Sequence, residues 1–299
     1  MSEFTAIELE KLPSPLIVEA LDYEQIFQLI LAEFRSRHPD YSSIVESDPA
    51  YKLLEVAAYR EMLLRQRVND AARGVMLAYA TGADLDNLAA LLGVERLVLD
   101  AGDPNAIPQP IPPTYESDSR LRIRTQLALE SFTTAGSVGS YIYHALTASG
   151  DVKDVDVFSP RPGEVVLTVL SALSDGSPTT LLMNTVYEAC NEERVRPLTD
   201  FVSVAEPEII EYPVIATLYF YQGPDSEVVK AEAEKALQAY VTDHHRLGHN
   251  ITLSGIYAAL HQPGVQRVDL STPADNIEID HNQAAFCTGI SVSNGGVDE

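Results

Sequence analysis

The chain has 299 residues, 44 acidic against 20 basic, and a net charge of -24 at pH 7; 45% of its residues are hydrophobic. That apolar share excludes a disordered polymer and supplies cores for two or three domains. The acidic excess repels a phosphate backbone and argues against nucleic acid as a partner. No stretch approaches the ~18 apolar residues of a membrane span, the most hydrophobic window being Val165–Leu173. The start MSEFTAIELEKLPSPLIVEAL has no basic segment leading into an apolar run, which predicts a protein made and assembled in a cytosol. Cys190 and Cys287 stand alone and read as buried free thiols, with neither a disulfide framework nor a metal spacing.

The first strong pattern is a proline-free stretch after Pro49. Leu54, Ala57, Glu61, Leu64, Val68, Ala71, Val75 and Ala78 recur at alternating spacings of three and four, which predicts a narrow seam along one long helix. Only Glu61 breaks its apolar character. Alanine lets a partner helix approach closely, and Arg60, Arg65, Arg67, Asp70 and Arg73 flank the stripe. Gly82 then marks a left-handed stop, and Asp84 a cap for a short helix carrying Leu85, Leu88, Ala89 and Leu92 up to Gly93. That helix offers Asp84, Asp86 and Asn87 and no cation before Arg96, so helix–turn–helix recognition of DNA is disfavoured.

Pro104, Pro108, Pro110, Pro112 and Pro113 predict an extended, semi-rigid connector. Beyond it Ser117 caps a helix to about Phe132, with Leu121, Leu127 and Ala128 inward and Arg120 and Arg124 on a solvent-side stripe as ion-pair partners. A weak internal repeat follows. Ser140, Ile142, Tyr143, Ala145, Leu146 and Gly150 match Ser254, Ile256, Tyr257, Ala259, Leu260 and Gly264, each copy reading as helix, tight turn, strand. A second strand is expected in each copy, over Val165–Leu170 and Phe286–Val292, with further strands over Phe201–Ala205 and Val214–Tyr221. Amphipathic helices are expected over Pro178–Glu193 and Ser226–Asp243.

The predicted class is therefore α+β: a helical amino-terminal region with a long seam helix, followed by two small duplicated helix-backed, mostly antiparallel sheet domains. The expected divisions are a bundle-forming region at 1–100, the connector at 101–116, a first α+β domain at 117–210 and a second at 211–299.

Chemistry-bearing patterns are sparse. His244, His245 and His249 cluster in TDHHRLGHN, but Gly248 interrupts the helix and the HExxH form is absent, so helix-end histidines are the better reading than zinc ligands. Asp151, Asp154 and Asp156 lack the twelve-residue calcium loop, and alternation with valines sets Asp154 and Asp156 on the exposed side of a strand. AGSVGS at Ala135–Ser140 has no phosphate-loop spacing, and no GxSxG occurs. Neither a catalytic, a cofactor nor a metal site is expected.

Three stretches taken in order carry a resemblance: DPAYKLLEVAAYREMLLRQRVNDAARGVMLAYATGADLDNLAALLGVER, then ESDSRLRIRTQLALESFTTAGSVGSYIYHAL, then HHRLGHNITLSGIYAALHQPGVQRVDL. Nearly the whole chain resembles the baseplate assembly protein J family of contractile phage tails and of phage-derived bacteriocins such as R-type pyocins. The resemblance implies a non-enzymatic wedge protein around a central hub, in the baseplate of a virion or bacteriocin particle assembled in the host cytoplasm. Its implied partners are a second copy of itself, another wedge protein of the tail protein I kind, a lysozyme-like sheath-initiating wedge protein, the hub with its spike, and the tail sheath. It also implies a helical bundle for the Leu54–Ala78 seam, a wedge-to-wedge contact for Val214–Val292, and a part in passing the contraction trigger to the sheath. A cytosolic scaffold unrelated to tails, or a metal-dependent enzyme built on His244, His245 and His249, are the alternatives the residues alone leave open.

Overall fold

The computed structural model describes residues 9, 12, 13, 15, 17–41, 43–133, 136–223 and 225–298. They form two compact units, one of Ile7–Glu95 with Ser117–Arg122 and the other chiefly of Arg96–Glu116 with Ile123–Glu299. The fold is α+β, with helices first and then two mixed, helix-backed sheets.

The helical unit rests on α1 (Tyr23–Arg37) and α2 (Pro49–Gly74). Asp22 starts α1 by accepting the Glu24 and Gln25 N–H groups at 2.8 and 3.2 Å, and Pro49 starts α2 where no intrahelical donor is needed. Ile26, Phe27, Leu31, Ile44 and Ala58 form the core between them, with Tyr51, Leu54 and Met62 packed at its margin. Each large side chain buried there contributes about 1.5–3 kcal/mol. The seam spacing predicts helix through Ala78, but α2 stops at Gly74, so Val75 caps it and Ala78 lies in the following turn.

The helix ends where the chain approaches α3 (Gly82–Ala90): a Cβ on residue 74 would stand 2.9 Å from Asp84 Oδ2, so a larger residue there would have to push that carboxylate aside. Arg122, 6% exposed, then holds the turn by donating to the Leu77 and Ala80 carbonyls at 2.7 and 2.9 Å. Asp84 sits inside the first turn of α3 rather than capping it; Thr81 takes the cap position and Gly82 the left-handed φ of +52°.

In the other unit the proline-rich segment turns back on itself. Strands β1 (Val98–Asp100) and β2 (Thr114–Tyr115) pair antiparallel, and Asp103 and Ile111 exchange backbone bonds of 3.0 and 2.8 Å. The proline pattern predicts an extended path, and the path is extended, but it returns as an arm because these flanking residues still pair. Glu116 closes the arm's base: its backbone N–H donates to Leu97 O at 3.0 Å, and its carboxylate accepts the Leu97 N–H at 2.9 Å.

Helix α4 (Asp118–Leu127) runs into a 3-10 turn, Ala128–Phe132, and Leu121, Leu127 and Ala128 are buried as expected. The exposed position expected for Arg124 is wrong. Arg124 and Glu116 form a buried ion pair, with side chains 2% and 0% exposed, and Arg124 Nε also donates to Thr147 Oγ1 at 3.2 Å.

The first sheet follows from α5 (Val138–Ala148), β3 (Val152–Phe158), β4 (Glu164–Ser171), α6 (Thr180–Asn191) and β5 (Phe201–Ala205), in the order β3-β4-β5. β3 and β4 are antiparallel neighbours, whereas the α6 crossover returns β5 parallel to β4. The second comprises β6 (Glu208–Phe220), α7 (Ser226–His244), α8 (Leu253–Leu260), β7 (Val265–Thr272) and β8 (Gln283–Val297), in the order β7-β6-β8. Here β6 is antiparallel to β7 and parallel to β8. β6 starts before its expected first residue, Val214, because Pro213 falls at a register shift, where a missing donor is tolerated.

Both sheets thus have one antiparallel and one parallel pair, in the same spatial order. The repeated helix–turn–strand units are α5–β3 and α8–β7, and Ser137 and Thr252 cap their helices in the same way, each accepting a backbone N–H at 3.2 Å. The strands expected to be equivalent are not. Val165–Leu170 lies in the central β4, whereas Phe286–Val292 lies in β8, which occupies the place of β5. In the second sheet the centre, β6, precedes the repeated unit along the chain.

Asp154 and Asp156 also depart from expectation, since both turn toward the second sheet's loops. Asp154 Oδ2 accepts the Leu247 N–H at 3.0 Å, and Asp156, 7% exposed, pairs with His281 Nδ1 at 3.1 Å. Leu170, Leu247 and Ala284 pack beside them with Ile209.

Arg124→Met is expected to lower the unfolding free energy by about 3–5 kcal/mol, because it leaves the Glu116 charge buried without its guanidinium. Adding Glu116→Gln, which keeps an acceptor for Leu97, is expected to recover most of that loss. Urea titration of the single and double variants measures both.

Candidate assembly interface

The inward face of α2 runs through Tyr51, Leu54, Ala58 and Met62 to Asn69. Asn69, 4% exposed, donates to Glu19 O at 2.9 Å and accepts the Glu19 N–H at 3.1 Å, so the chain before α1 is tied to the helix's last turns. The predicted seam lies beside this face, roughly a quarter turn round the helix by the 100° step per residue. Only Leu54 belongs to both.

The remaining seam residues are unevenly placed. Ala57, Leu64, Val68, Ala71 and Val75 are exposed, Leu64 and Val68 at 64% and 57%, while Glu61 and Ala78 are half-buried. Leu53, Val56, Tyr59 and Leu63 extend the exposed apolar surface of the same helix. Glu61 does not interrupt it with a bare charge: Arg65 binds it at 2.6 Å and reaches Glu19 at 3.2 Å. Such exposed pairs contribute about 0–1 kcal/mol, so they mask charge more than they hold the helix. What α2 presents is a helix buried on one side by α1, with exposed apolar residues on the other interleaved with Arg60, Gln66, Arg67 and Asp70.

The histidine cluster does not converge. His245 is 8% exposed, donates from Nδ1 to Ala285 O at 2.7 Å and meets Phe286 edge-on. His244 donates to Tyr240 O at 3.0 Å and stacks on the Tyr240 ring, with His249 at its edge. The three are therefore a buried structural histidine and two partners at the end of α7. Among the described residues no group of three His, Cys, Asp or Glu side chains is placed to hold a metal ion, and no helix is long and apolar enough to cross a membrane. Both cysteines are free: Cys190 is buried, and burial pushes its thiol up to about 12, whereas Cys287, expected to be buried, is only half-buried, its thiol raised chiefly by desolvation.

The residue that sequence reasoning missed is Arg122. It was hidden between two arginines assigned to solvent, and its signal lies in the turn it serves: Leu77 and Ala80 offer carbonyls that no helix consumes.

The chain matches the Baseplate J-like N-terminal domain over residues 46–103, the Baseplate J-like central domain over residues 133–206 and the Baseplate J-like protein C-terminal domain over residues 212–293. It is 47% identical over 300 residues to "Baseplate protein J" of Escherichia phage P2, covering 98% of this chain and 99% of that one. Among solved structures, a chain of the sixfold-symmetrised cryo-EM baseplate of the anti-feeding prophage aligns with 90% of this chain and 53% of its own length, at 11% identity and a TM-score of 0.34. That last likeness is too slight to carry an argument.

Burial lowers the pKa of His245 below its ordinary value, as it does for His144. A histidine held neutral in the folded state favours folding fully above about pH 6.5 and loses that advantage as pH falls below it, since the unfolded chain takes up the proton first. Stability is expected to fall between pH 7.5 and 5.5, and His245→Gln to flatten that slope while lowering stability at pH 7.5. Thermal unfolding followed across this range checks the slope.

Proposed function

The chain belongs to the Baseplate J family, and we propose that it acts as a wedge subunit, joining neighbouring baseplate proteins around the central hub through the exposed face of α2. It is a structural protein of a contractile-tail baseplate and not an enzyme. The proposed place is the tail baseplate of a phage or phage-derived particle, with a second copy, a tail protein I-like wedge protein, the lysozyme-like sheath-initiating protein, the hub and spike, and the sheath as its neighbours.

The observation that carries this reading is the apolar face of α2. Leu53, Val56, Leu64 and Val68 are each more than half exposed, on a helix of 26 residues whose main helical neighbour among the described residues is α1. A helix this long has little stability of its own in water, and packing of its apolar side is what helices draw on. Two further helices laid on that side would make the three-helix bundle in which two copies meet a third wedge protein. The second sheet would then reach the adjacent wedge, and displacement of one wedge would pass round the ring toward the sheath.

Exposure makes the test clean. Leu64→Asp with Val68→Asp replaces no described core residue, so the isolated chain is expected to keep its unfolding free energy within about 0.5 kcal/mol, as is usual for surface changes. Co-expressed with the other wedge protein, the variant is expected to lose complex formation, because each aspartate would be buried without a partner. Retention of the complex on size-exclusion chromatography would remove α2 from the interface.

A further inference from the structure

In a chain of net charge -24, α2 is a cationic element. It carries Lys52, Arg60, Arg65, Arg67 and Arg73 against Glu55, Glu61 and Asp70. Each of these carboxylates is already engaged by a side chain of the same helix: Glu55 by Lys52 at 3.0 Å, Glu61 by Arg65 at 2.6 Å, and Asp70 by the Gln66 amide at 2.7 Å. Arg73 lies in the last turn, where a cation answers the helix's own carboxyl-terminal carbonyls. Arg60 and Arg67 remain. Both are exposed, and neither pairs with a carboxylate among the described residues.

Their spacing makes them one feature. Seven residues are two turns, so the 100° step sets the two arginines within about 20° of each other and about 10.5 Å apart along the axis. By the same step both lie about 160–180° round the helix from Ala58 and Asn69, the two residues that α2 buries. They thus occupy the side of α2 opposite its buried one. Leu53, Val56, Leu63 and Leu64, 44–70% exposed, stand within about 60° of Arg60 on either side. A cation in the middle of an apolar stripe is costly to bury unless the incoming surface brings it a carboxylate. The flanking residues in turn ask for an apolar surface around those carboxylates, which an amphipathic helix supplies and a phosphate backbone does not.

We propose that the outward face of α2 receives a helix of an unlike protein whose apolar stripe carries two carboxylates two turns apart, one for Arg60 and one for Arg67. This rests on the assembly reading of α2 and names the chemistry of its partner. Arginine suits the task, because its planar fork binds a carboxylate through two parallel hydrogen bonds and its stem adds to the apolar contact. Charge also decides against a second copy on this face. A two-fold contact between two α2 helices would bring four guanidinium groups together, with every carboxylate of both helices already engaged. In a three-helix bundle both copies therefore turn their arginines toward the third helix, and that helix is the one to carry the acidic residues. The two arginines admit an acidic amphipathic helix and turn away a basic one of equal hydrophobicity.

The test titrates the full chain against the tail protein I-like wedge protein, both purified, by calorimetry. Arg60 and Arg67 are exposed and stand outside the core of their unit, so variants at both positions are expected to keep the wild-type urea midpoint. Arg60→Leu with Arg67→Leu is the decisive pair, because it makes the face more apolar while removing its charge. Binding is expected to weaken at least about tenfold, since the partner's carboxylates are then buried unpaired. Arg60→Glu with Arg67→Glu is expected to weaken it further, and Arg60→Lys with Arg67→Lys much less. Leucine variants that bind as tightly as the wild type, or glutamate variants that bind unchanged, would overturn the proposal. Self-association of the wild-type chain that the glutamate pair abolishes would give the face to a second copy and overturn it too. Should Leu64→Asp with Val68→Asp abolish the complex while the leucine pair leaves it intact, the charge pairing falls and the role of α2 stands; a complex unaffected by either set, or no binding by the wild type, removes both.

Discussion

The Glu116–Arg124 pair fixes the geometry from which the sheet-bearing unit is built. Both side chains are withdrawn from water, which costs several kcal/mol per ion unless attraction and hydrogen bonds return it. Here they do so by joining parts distant in sequence: the carboxylate also takes the Leu97 N–H at the arm's base, and the guanidinium reaches Thr147 on α5. Arg96 closes the same corner, donating to the Glu116 carbonyl at 2.8 Å. An apolar pair of similar volume would fill the space without dictating direction. The ion pair admits one arrangement of arm, helix and first sheet, which is the specificity such groups supply.

The repeated half-domains show what spacing alone can convey. Helix, turn and strand are local, so the apolar periodicity of Ser140–Leu146 and Ser254–Leu260 was legible in the sequence, as was the α+β class. Strand neighbours are not local. Nothing in Val165–Leu170 or Phe286–Val292 states that one occupies a sheet centre and the other an edge; that follows from which strand enters first and from the α6 crossover. The aspartates failed for a related reason. Alternation correctly puts Asp154 and Asp156 opposite the valines of β3, but the face they share meets Leu247 and His281 instead of water.

The seam residues were legible as a pattern but not as a surface. Alternating three-and-four spacing is shared by a helix's buried stripe and by the one next to it, and here α1 takes the stripe through Ala58 and leaves Leu64 and Val68 in water. A spacing of 3.5 also drifts on a straight helix of 3.6 residues per turn, and the stripe does not survive past Gly74, where α3 approaches. Arg122 and Arg124 escaped for the opposite reason, because charged side chains are assigned to solvent by default while their partners are carbonyls and a carboxylate supplied by distant segments.

Acidity then governs how the remaining surface can be used. A net charge of -24 opposes contact between copies, and contact is favourable only where charge has been removed or paired. α2 is one such place among the described residues: it offers apolar side chains, with Glu61 masked by Arg65, so burial of that position against another helix costs little in desolvated charge. Helix packing by itself is tolerant of the partner's sequence, requiring only a complementary apolar face.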